Sequence, residues 1–213
     1  MKICVVAGHT MKGKGTGASK YINESTENRV VAKLVVEYLK KAGHEVDYYA
    51  IDEATDYLAK QVNFANKKKY DLVVQIHFNA GGGTGTETLY KTSTGKKYAE
   101  QVTKSLGKLY KQRGAKVRTD LYWLNKTNAP AILVEVCFVD SVTDTNIYNA
   151  NKPQTAKLIA EGIIGQEIVE KPVETPVSNK KYGVKVHSFS TKEKALEFSK
   201  MLKEKHNAYS EVY

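Results

Sequence analysis

The apolar residues of the chain fall into short runs that alternate with helical patterns. Four runs are rich in β-branched and aromatic side chains, as buried strands are: residues 2–7, 45–51, 72–78 and 131–138. Between them, apolar positions recur at helical spacing from the expected N-cap Asn23 to Gly43, and again from Gly95 to Arg113. This alternation predicts an α/β fold with a mostly parallel, twisted sheet and helices on both faces.

Less regular segments lie between these elements. Residues 87–91 follow a glycine-rich run and are expected to form an edge strand, and residues 57–68 predict a weaker helix. The stretch after Arg113 is interpreted as a connecting segment and a loop that ends at Pro130. Helical patterns then continue from the last apolar run to Ile164.

The pattern changes near Val169. Residues 169–180 contain two of the four prolines and predict a linker. Residues 181–213 predict a small C-terminal βαβ module with Thr191 as the N-cap of its helix. We therefore expect a catalytic domain over residues 1–168, then the linker and the module. A unit of fewer than about 40 residues rarely folds alone, so we expect the module to pair with a second copy and form a homodimer.

The composition and charge of the chain limit the kinds of partner that it can have. Hydrophobic residues make up 41% and charged residues 26% of 213 residues, and no apolar run approaches the about 18 residues of a membrane helix. The start of the chain lacks signal-peptide features, so we expect cytoplasmic synthesis and no membrane insertion. The net charge of +10 indicates an anionic partner. Because the lysines are spread out without interleaved aromatic residues, we expect no nucleic acid.

Four polar residues stand where a strand ends, a helix begins or an aliphatic side chain is expected. In a parallel sheet, ligands bind beyond the carboxyl ends of the strands, where His9 and His77 lie and where the helix carrying Glu24 begins. Two imidazoles and one carboxylate are a ligand set of catalytic zinc. Glu135 lies inside an apolar strand and needs a cation, a metal-bound water or a hydrogen-bond donor, because burying it unpaired is costly.

Ordinary structural roles compete with this interpretation. A histidine at a strand end is often only hydrogen-bonded, and an acidic residue in a first helical turn complements the helix dipole. Glu27 lies in the same turn as Glu24 and competes with it as a ligand. The loop from Gly8 to Lys14 has the spacing of a phosphate-binding loop, but Gly15 replaces the required serine or threonine and no helix is predicted there.

The cysteines offer another alternative. Cys4 and Cys137 lie in apolar strands and are expected to be buried free thiols. With His77 or His9, however, Cys137 would make a cysteine hydrolase. Cys137 is expected on the same strand face as Glu135, although its apolar neighbours do nothing to lower the thiol pKa.

Four segments carry a resemblance to a known family: AGHT at 7–10, NESTENRVVAKLVVEYLKKAGHEV at 23–46, DLVVQIHFNAGGGTGTETLY at 71–90 and RGAKVRTDLYWLNKTNAPAILVEVCFVD at 113–140. Through them, about the first 165 residues resemble the zinc-dependent N-acetylmuramoyl-L-alanine amidases of the type-3 family. The resemblance is strongest to endolysins of phages that infect Gram-positive bacteria.

This resemblance implies an enzyme that cleaves peptidoglycan. It implies one zinc ion per catalytic domain, held by His9, Glu24 and His77, with Glu135 as the catalytic acid and base. Asn79 of the HxNA motif is expected to orient the loop or the substrate. An endolysin would be made in the host cytoplasm and act on the cell wall after release.

The tail carries a second resemblance. Residues 182–202 resemble the first half of a SPOR-type module, which binds peptidoglycan. This resemblance implies that the tail binds the wall as well as a second copy of itself. A wall-binding protein without catalytic activity is the remaining alternative to an enzyme.

Overall fold

The computed structural model describes residues 1–169 and 190–206. The elements of these residues follow one another as β1 (Lys2–Ala7), α1 (Glu24–Lys41), β2 (Glu45–Tyr49), α2 (Tyr57–Ala65), β3 (Leu72–Asn79), β4 (Thr86–Tyr90), α3 (Ser93–Leu106), β5 (Gln112–Val117), α4 (Tyr122–Lys126), β6 (Ala131–Phe138), α5 (Val142–Ala150), α6 (Lys152–Ile164) and α7 (Lys192–His206). Backbone contacts divide the chain into two compact units, Met1–Val169 and Glu170–Tyr213.

The strands of the first unit form one mixed sheet. Within the described residues, the strand order is β2-β1-β3-β6-β4-β5. All neighbouring strands run parallel except β4 and β6, which are antiparallel. Residues of α1, α3 and α6 share the larger core cluster with one face of the sheet, and residues of α2 and α4 share the smaller cluster with the other. The predicted fold, a mostly parallel sheet with helices on both faces, is confirmed.

Two details of the sheet differ from the sequence-based expectation. Strand β4 is not an edge strand, because it lies between β6 and β5. The edge is β5, whose residues are almost all exposed and therefore show no apolar alternation in the sequence. Helix α3 ends at Leu106 rather than Arg113, because a tight turn follows in which the N–H of Leu109 donates to the carbonyl of Leu106.

The N-terminus of helix α1 forms as predicted and positions the site. The side chain of Asn23 accepts a hydrogen bond of 3.0 Å from the N–H of Thr26, which caps the helix immediately before Glu24. Helix α1 begins only there, so no helix follows Lys14 and the phosphate-binding loop is not formed.

The second unit is described only through its helix. Helix α7 begins after Thr191, whose hydroxyl accepts a hydrogen bond from the N–H of Lys194. The two strands predicted beside it, at 182–189 and 208–213, lie outside the described residues. Of the helices that the structure describes, none is both long and apolar enough to cross a membrane.

Candidate active site

His9 adopts an unusual backbone conformation just after β1. Its φ of 62° lies in the left-handed region, which costs a residue with a side chain about 1–3 kcal/mol. The carbonyl of Gly15 accepts from the N–H of Thr10 at 3.0 Å and lies 2.9 Å from Nδ1 of His9. Because a carbonyl can only accept, Nδ1 carries the proton, and Nε2 presents a lone pair when the ring is neutral.

Helix α1 directs the carboxylate of Glu24 to the same point. Glu24 is 3% exposed; its Oε2 accepts from the N–H of Ala18 at 2.8 Å, and its Oε1 from the N–H of Phe78 at 3.1 Å. Oε1 also lies 3.1 Å from Nε2 of His9 and 3.1 Å from Nδ1 of His77. Burial opposes ionisation, but the two histidines hold the pKa of Glu24 well below its usual range.

His77 reaches this cluster from β3, the strand beside β1. Its ring meets that of His9 edge to face, with the centroids 4.7 Å apart. Its Nε2 is packed against Gly8, where there is no room for a Cβ, and it has no hydrogen-bond partner among the described residues. Burial lowers the pKa of His77 against the pull of Glu24. The lowered pKa favours the neutral form of the ring, whose Nδ1 faces the carboxylate.

The cluster fits a metal ion. One ligand atom each from His9, Glu24 and His77 lie within 4.8 Å of one another. A neutral His9 turns a lone pair toward a carboxylate oxygen that also only accepts, so a cation is needed between them. Zinc bonds of about 2.0–2.1 Å separate tetrahedral ligands by roughly 3.3 Å, close to the 3.1 Å contacts here. Burial alone would depress the pKa of His9, but Glu24 raises it, as expected where a proton can replace the metal.

Glu135 lies one strand further across the sheet. It is the direct partner of His77 in the pairing of β3 with β6. Its Oε2 is buried and, in the part of the chain that the structure describes, accepts no hydrogen bond. Burial, followed by the negative charges of Glu24 and Glu87, raises the pKa of Glu135 to about 8. A carboxyl group that exchanges a proton near neutral pH thus stands beside the cluster, as general acid and base catalysis requires.

The competing carboxylate of the first turn points elsewhere. Oε2 of Glu27 accepts a hydrogen bond of 2.6 Å from the hydroxyl of Tyr148 and lies 2.8 Å from Nζ of Lys152. These contacts tie α1 to α5 and α6. Of the two glutamates in this turn, the structure brings only Glu24 to the two histidines.

Cys137 is not on the face of Glu135, and that expectation was wrong. It packs in the larger core cluster together with its neighbour Val136. The reason is an irregularity in the pairing of β3 with β6: His77 pairs with Glu135, but Asn79 pairs with Phe138. The extra residue in β6 interrupts the alternation of faces. Burial raises the pKa of the Cys137 thiol, which leaves it unreactive.

Asn79 contacts a carboxylate that was not predicted from the sequence, that of Glu87. Its Nδ2 donates to Oε1 of Glu87 at 3.1 Å, and Glu87 is the direct partner of Glu135 in the pairing of β4 with β6. Oε2 of Glu87 accepts from Nε of Arg113 at 2.8 Å and from Nζ of Lys116. Burial opposes ionisation of Glu87, but the two cations lower its pKa. The only signal in the sequence is a lone carboxylate inside a short strand.

The glycine-rich loop after Asn79 is fixed by acidic side chains. Oδ2 of Asp140 accepts from the N–H groups of Gly81 at 3.0 Å and Gly82 at 2.8 Å. Oδ2 of Asp144 accepts from the N–H of Gly85 at 2.8 Å. The loop therefore forms a rim beside the site that is fixed by hydrogen bonds, rather than an unconstrained turn.

Fold and site together define a class: an α/β domain with a His–Glu–His cluster and a neighbouring carboxyl group at the carboxyl edge of its sheet. The particular family follows from comparison with known proteins. The chain belongs to the N-acetylmuramoyl-L-alanine amidase family, because the model of that family, Amidase_3, matches residues 3–165.

Similar proteins are found among sequences and solved structures. An uncharacterized protein of Clostridium perfringens is 40% identical over an alignment of 183 residues, and the match covers 80% of this chain and 53% of that protein. The chain thus spans about half the length of this relative. The catalytic domain of the CD27L endolysin, described as targeting Clostridia Difficile, is 32% identical with a TM-score of 0.75, over 79% of this chain and 99% of that one.

The same fold recurs in a second solved structure. The catalytic domain of CwlV, an N-acetylmuramoyl-L-alanine amidase from Bacillus (Paenibacillus) polymyxa, is 28% identical with a TM-score of 0.67. The alignment covers 78% of this chain and 97% of that one. Both likenesses agree with the α/β fold described above.

Proposed function

We propose that the chain hydrolyses peptidoglycan at the amide between N-acetylmuramic acid and the L-alanine of the stem peptide, with one zinc ion per catalytic domain. The observation that carries this proposal is the juxtaposition of His9, Glu24 and His77 with a carboxyl group whose Oε2 accepts no hydrogen bond within the described residues. Membership of the amidase family and the likeness to CwlV support the choice of bond.

The atoms that would hold zinc are Nε2 of His9, Oε1 of Glu24 and Nδ1 of His77, because these atoms converge. Zinc, when bound, supplies a Lewis acid for the carbonyl and lowers the pKa of a water molecule. The protein fixes its ligands through their outer contacts. The carbonyl of Gly15 sets the tautomer of His9, and the N–H groups of Ala18 and Phe78 orient the carboxylate of Glu24.

Glu135 would move the proton. As a carboxylate, it accepts a proton from the attacking water; as a carboxylic acid, it then donates that proton to the departing amine nitrogen of L-alanine. Its raised pKa suits this exchange, because neither form is strongly preferred near neutral pH. We assign Asn79 to positioning: it holds Glu87 beside Glu135 and borders the loop that forms the rim.

The wider role that we propose is that of an endolysin that reaches the wall after release from a host cytoplasm. The likeness to the CD27L catalytic domain supports the endolysin role, and the net charge of +10 suits an anionic wall. In this proposal residues 1–168 are catalytic, 169–180 link, and 181–213 bind the wall and pair with a second copy. Leu196 of helix α7 is 52% exposed and offers an apolar contact. A monomer by light scattering at micromolar concentration would contradict the pairing.

The catalytic proposal is tested on purified peptidoglycan, with mass spectrometry of the products. We expect free stem peptides with a new L-alanine amino terminus, one zinc per chain, loss of activity in a chelator and recovery on adding zinc. Thiol alkylation should leave the rate unchanged. Loss on alkylation alone would instead support a cysteine hydrolase, and wall binding without product release would support a non-catalytic protein.

A further inference from the structure

Two cations of the edge strand β5 converge on Glu87, one strand away from Glu135. Nε of Arg113 is 2.8 Å from Oε2 of Glu87, and Nζ of Lys116 contacts the same oxygen. The side chains of Arg113 and Lys116 are 32% and 43% exposed, against 10% for Glu87. The carboxylate thus lies beneath two cations that are open to solvent.

A backbone irregularity places both cations on one face of the sheet. Residues three apart in a regular strand point to opposite faces. The register between β4 and β5 shifts, so that Thr86 pairs with Gln112 but Thr88 pairs with Ala115. Gly114 lies in this shift with a φ of 83°, as glycine does in a common type of β-bulge. The cluster is therefore built into the edge of the sheet.

The cluster keeps a surplus positive charge. Glu87 offsets one of the two cations, and its other oxygen is occupied by Asn79. The nearby Arg118 is already paired with Asp120 at 2.7 Å. Within the described residues, Arg113 and Lys116 form ion pairs with the same single carboxylate, that of Glu87. A carboxylate from outside the protein would complete the pairing.

The strand order indicates which part of the substrate reaches this cluster. The sheet places the ends of β1 and β3, with the histidines, on one side of Glu135, and β4 and β5 on the other. A proton donor must contact the leaving amine nitrogen, so the stem peptide departs from Glu135 and the muramoyl carbonyl lies toward the histidines. Strand β5 is two strands from β6, about 10 Å at the usual spacing.

We propose that Arg113 and Lys116 bind the free carboxylate of the second stem-peptide residue, an inference that rests on the proposed function. This residue, a D-glutamate, is linked through its side chain, so its α-carboxylate is free. The carboxylate lies two residues from the scissile amide, about 7 Å along an extended chain. The long side chains of the two cations extend back over Glu87 and cover the remaining distance. Amidation to D-isoglutamine removes this charge and so weakens binding.

Two synthetic substrates test the subsite with the zinc-loaded full chain: N-acetylmuramoyl-L-alanyl-D-glutamate and its D-isoglutamine counterpart, both with the side-chain carboxyl group closed as a methylamide so that they differ only in the α-carboxylate. We expect a kcat/KM about tenfold higher for the carboxylate substrate, mainly through KM, as a charge-assisted contact gives. This preference should shrink as salt is added, because both cations are partly exposed.

Variants assign the preference to the two cations. Lys116→Met and Arg113→Gln should each reduce it several-fold, and Lys116→Arg should retain it because the charge is kept. The matched control is Lys96→Met, which removes a lysine that pairs with Glu100 on helix α3. This variant should leave kcat/KM unchanged for both substrates.

The outcomes separate the subsite from the amidase activity. Equal kcat/KM values for the two substrates in the unmodified protein would overturn the subsite and leave the amidase function standing. A Lys116→Met variant that slows both substrates equally would also overturn it, because the lysine would then act only on the fold. Cleavage of neither substrate would overturn the proposed function, and the subsite with it.

Discussion

Glu135 and Glu87 face each other across β6 and β4, but their surroundings give them opposite proton affinities. Glu87 is bonded to Asn79, Arg113 and Lys116, and these cations lower its pKa against the effect of burial. Oε2 of Glu135 accepts no hydrogen bond within residues 1–169 and 190–206, and burial is the first cause that raises the pKa of Glu135 to about 8.

The difference shows how partners, rather than residue type, decide what a buried carboxyl group does. A fully paired carboxylate keeps its charge and serves as a fixed anion, whereas an unpaired one exchanges its proton near neutral pH. The fixed anions also act on the exchanging group. After burial, the charge of Glu24 and then that of Glu87 raise the pKa of Glu135.

Removing the fixed anion at the histidines should have the largest effect. Glu24→Gln replaces the carboxylate that we propose as a zinc ligand with a neutral amide, so we expect zinc affinity to fall at least about 100-fold and activity to fall with it. Competition with a chromophoric chelator measures the affinity. Glu27→Gln is the matched control from the same turn, because Glu27 contacts Tyr148 and Lys152 instead. Equal zinc affinity in both variants would contradict the assignment of Glu24.

Replacing Glu135, the group that exchanges its proton, should change how the free energy of unfolding depends on pH. The folded-state pKa of about 8 for Glu135 lies above the value of about 4.3 in an unfolded chain. The resulting stabilisation is complete below the unfolded pKa and is lost as pH rises through the folded pKa. Between about pH 4.5 and 8, we therefore expect the free energy of unfolding of the unmodified protein, freed of metal by a chelator, to fall by up to a few kcal/mol relative to that of Glu135→Gln. Urea unfolding of both proteins measures this, and a difference independent of pH would contradict it.

Neutralising the second fixed anion should have a smaller effect. Glu87→Gln removes a negative charge and frees two cations beside Glu135, so the pKa of Glu135 should fall. The acidic limb of the pH profile of kcat/KM should then move to lower pH by about 0.5–1 unit, while kcat/KM at its optimum falls several-fold. An unmoved limb would show that Glu135 does not sense the charge of Glu87.

The smallest effect is expected from the backbone that aligns the two cations. In Gly114→Ala, the added Cβ has no atom within 4 Å. The only loss of stability therefore comes from the left-handed φ, and it is about 1 kcal/mol. Gly43→Ala has the same φ of 83° and the same open space, but lies after helix α1. Both variants should lose similar stability in urea unfolding, and only Gly114→Ala should weaken discrimination between the two synthetic substrates. Equal discrimination in both would show that the bulge does not align the cations.

The two facing glutamates also differ in how visible they are in the sequence. Glu135 interrupts an apolar strand, and His9, Glu24 and His77 mark the ends of strands and the start of a helix, so local patterns point to all four. The role of Glu87 depends on cations in β5, an exposed edge strand without apolar alternation. Its importance arises from long-range pairing that no local pattern records.

Backbone irregularities account for the other errors. Strict alternation places Cys137 on the face of Glu135, and only the bulge in β6 moves it to the opposite core cluster. The same kind of shift in β5 brings Arg113 and Lys116 together. The left-handed backbone of His9 is likewise invisible in the sequence, because residues with a side chain seldom adopt it.

The central claim is that Glu135 carries the proton in amide hydrolysis beside a zinc-binding cluster. The most direct test compares zinc-loaded Glu135→Gln with the unmodified protein in the rate at which each releases L-alanine amino termini from purified peptidoglycan. We expect a full complement of zinc and a rate reduced by about 10²–10⁴-fold. A fully zinc-loaded Glu135→Gln protein that releases L-alanine amino termini at the unmodified rate would contradict it.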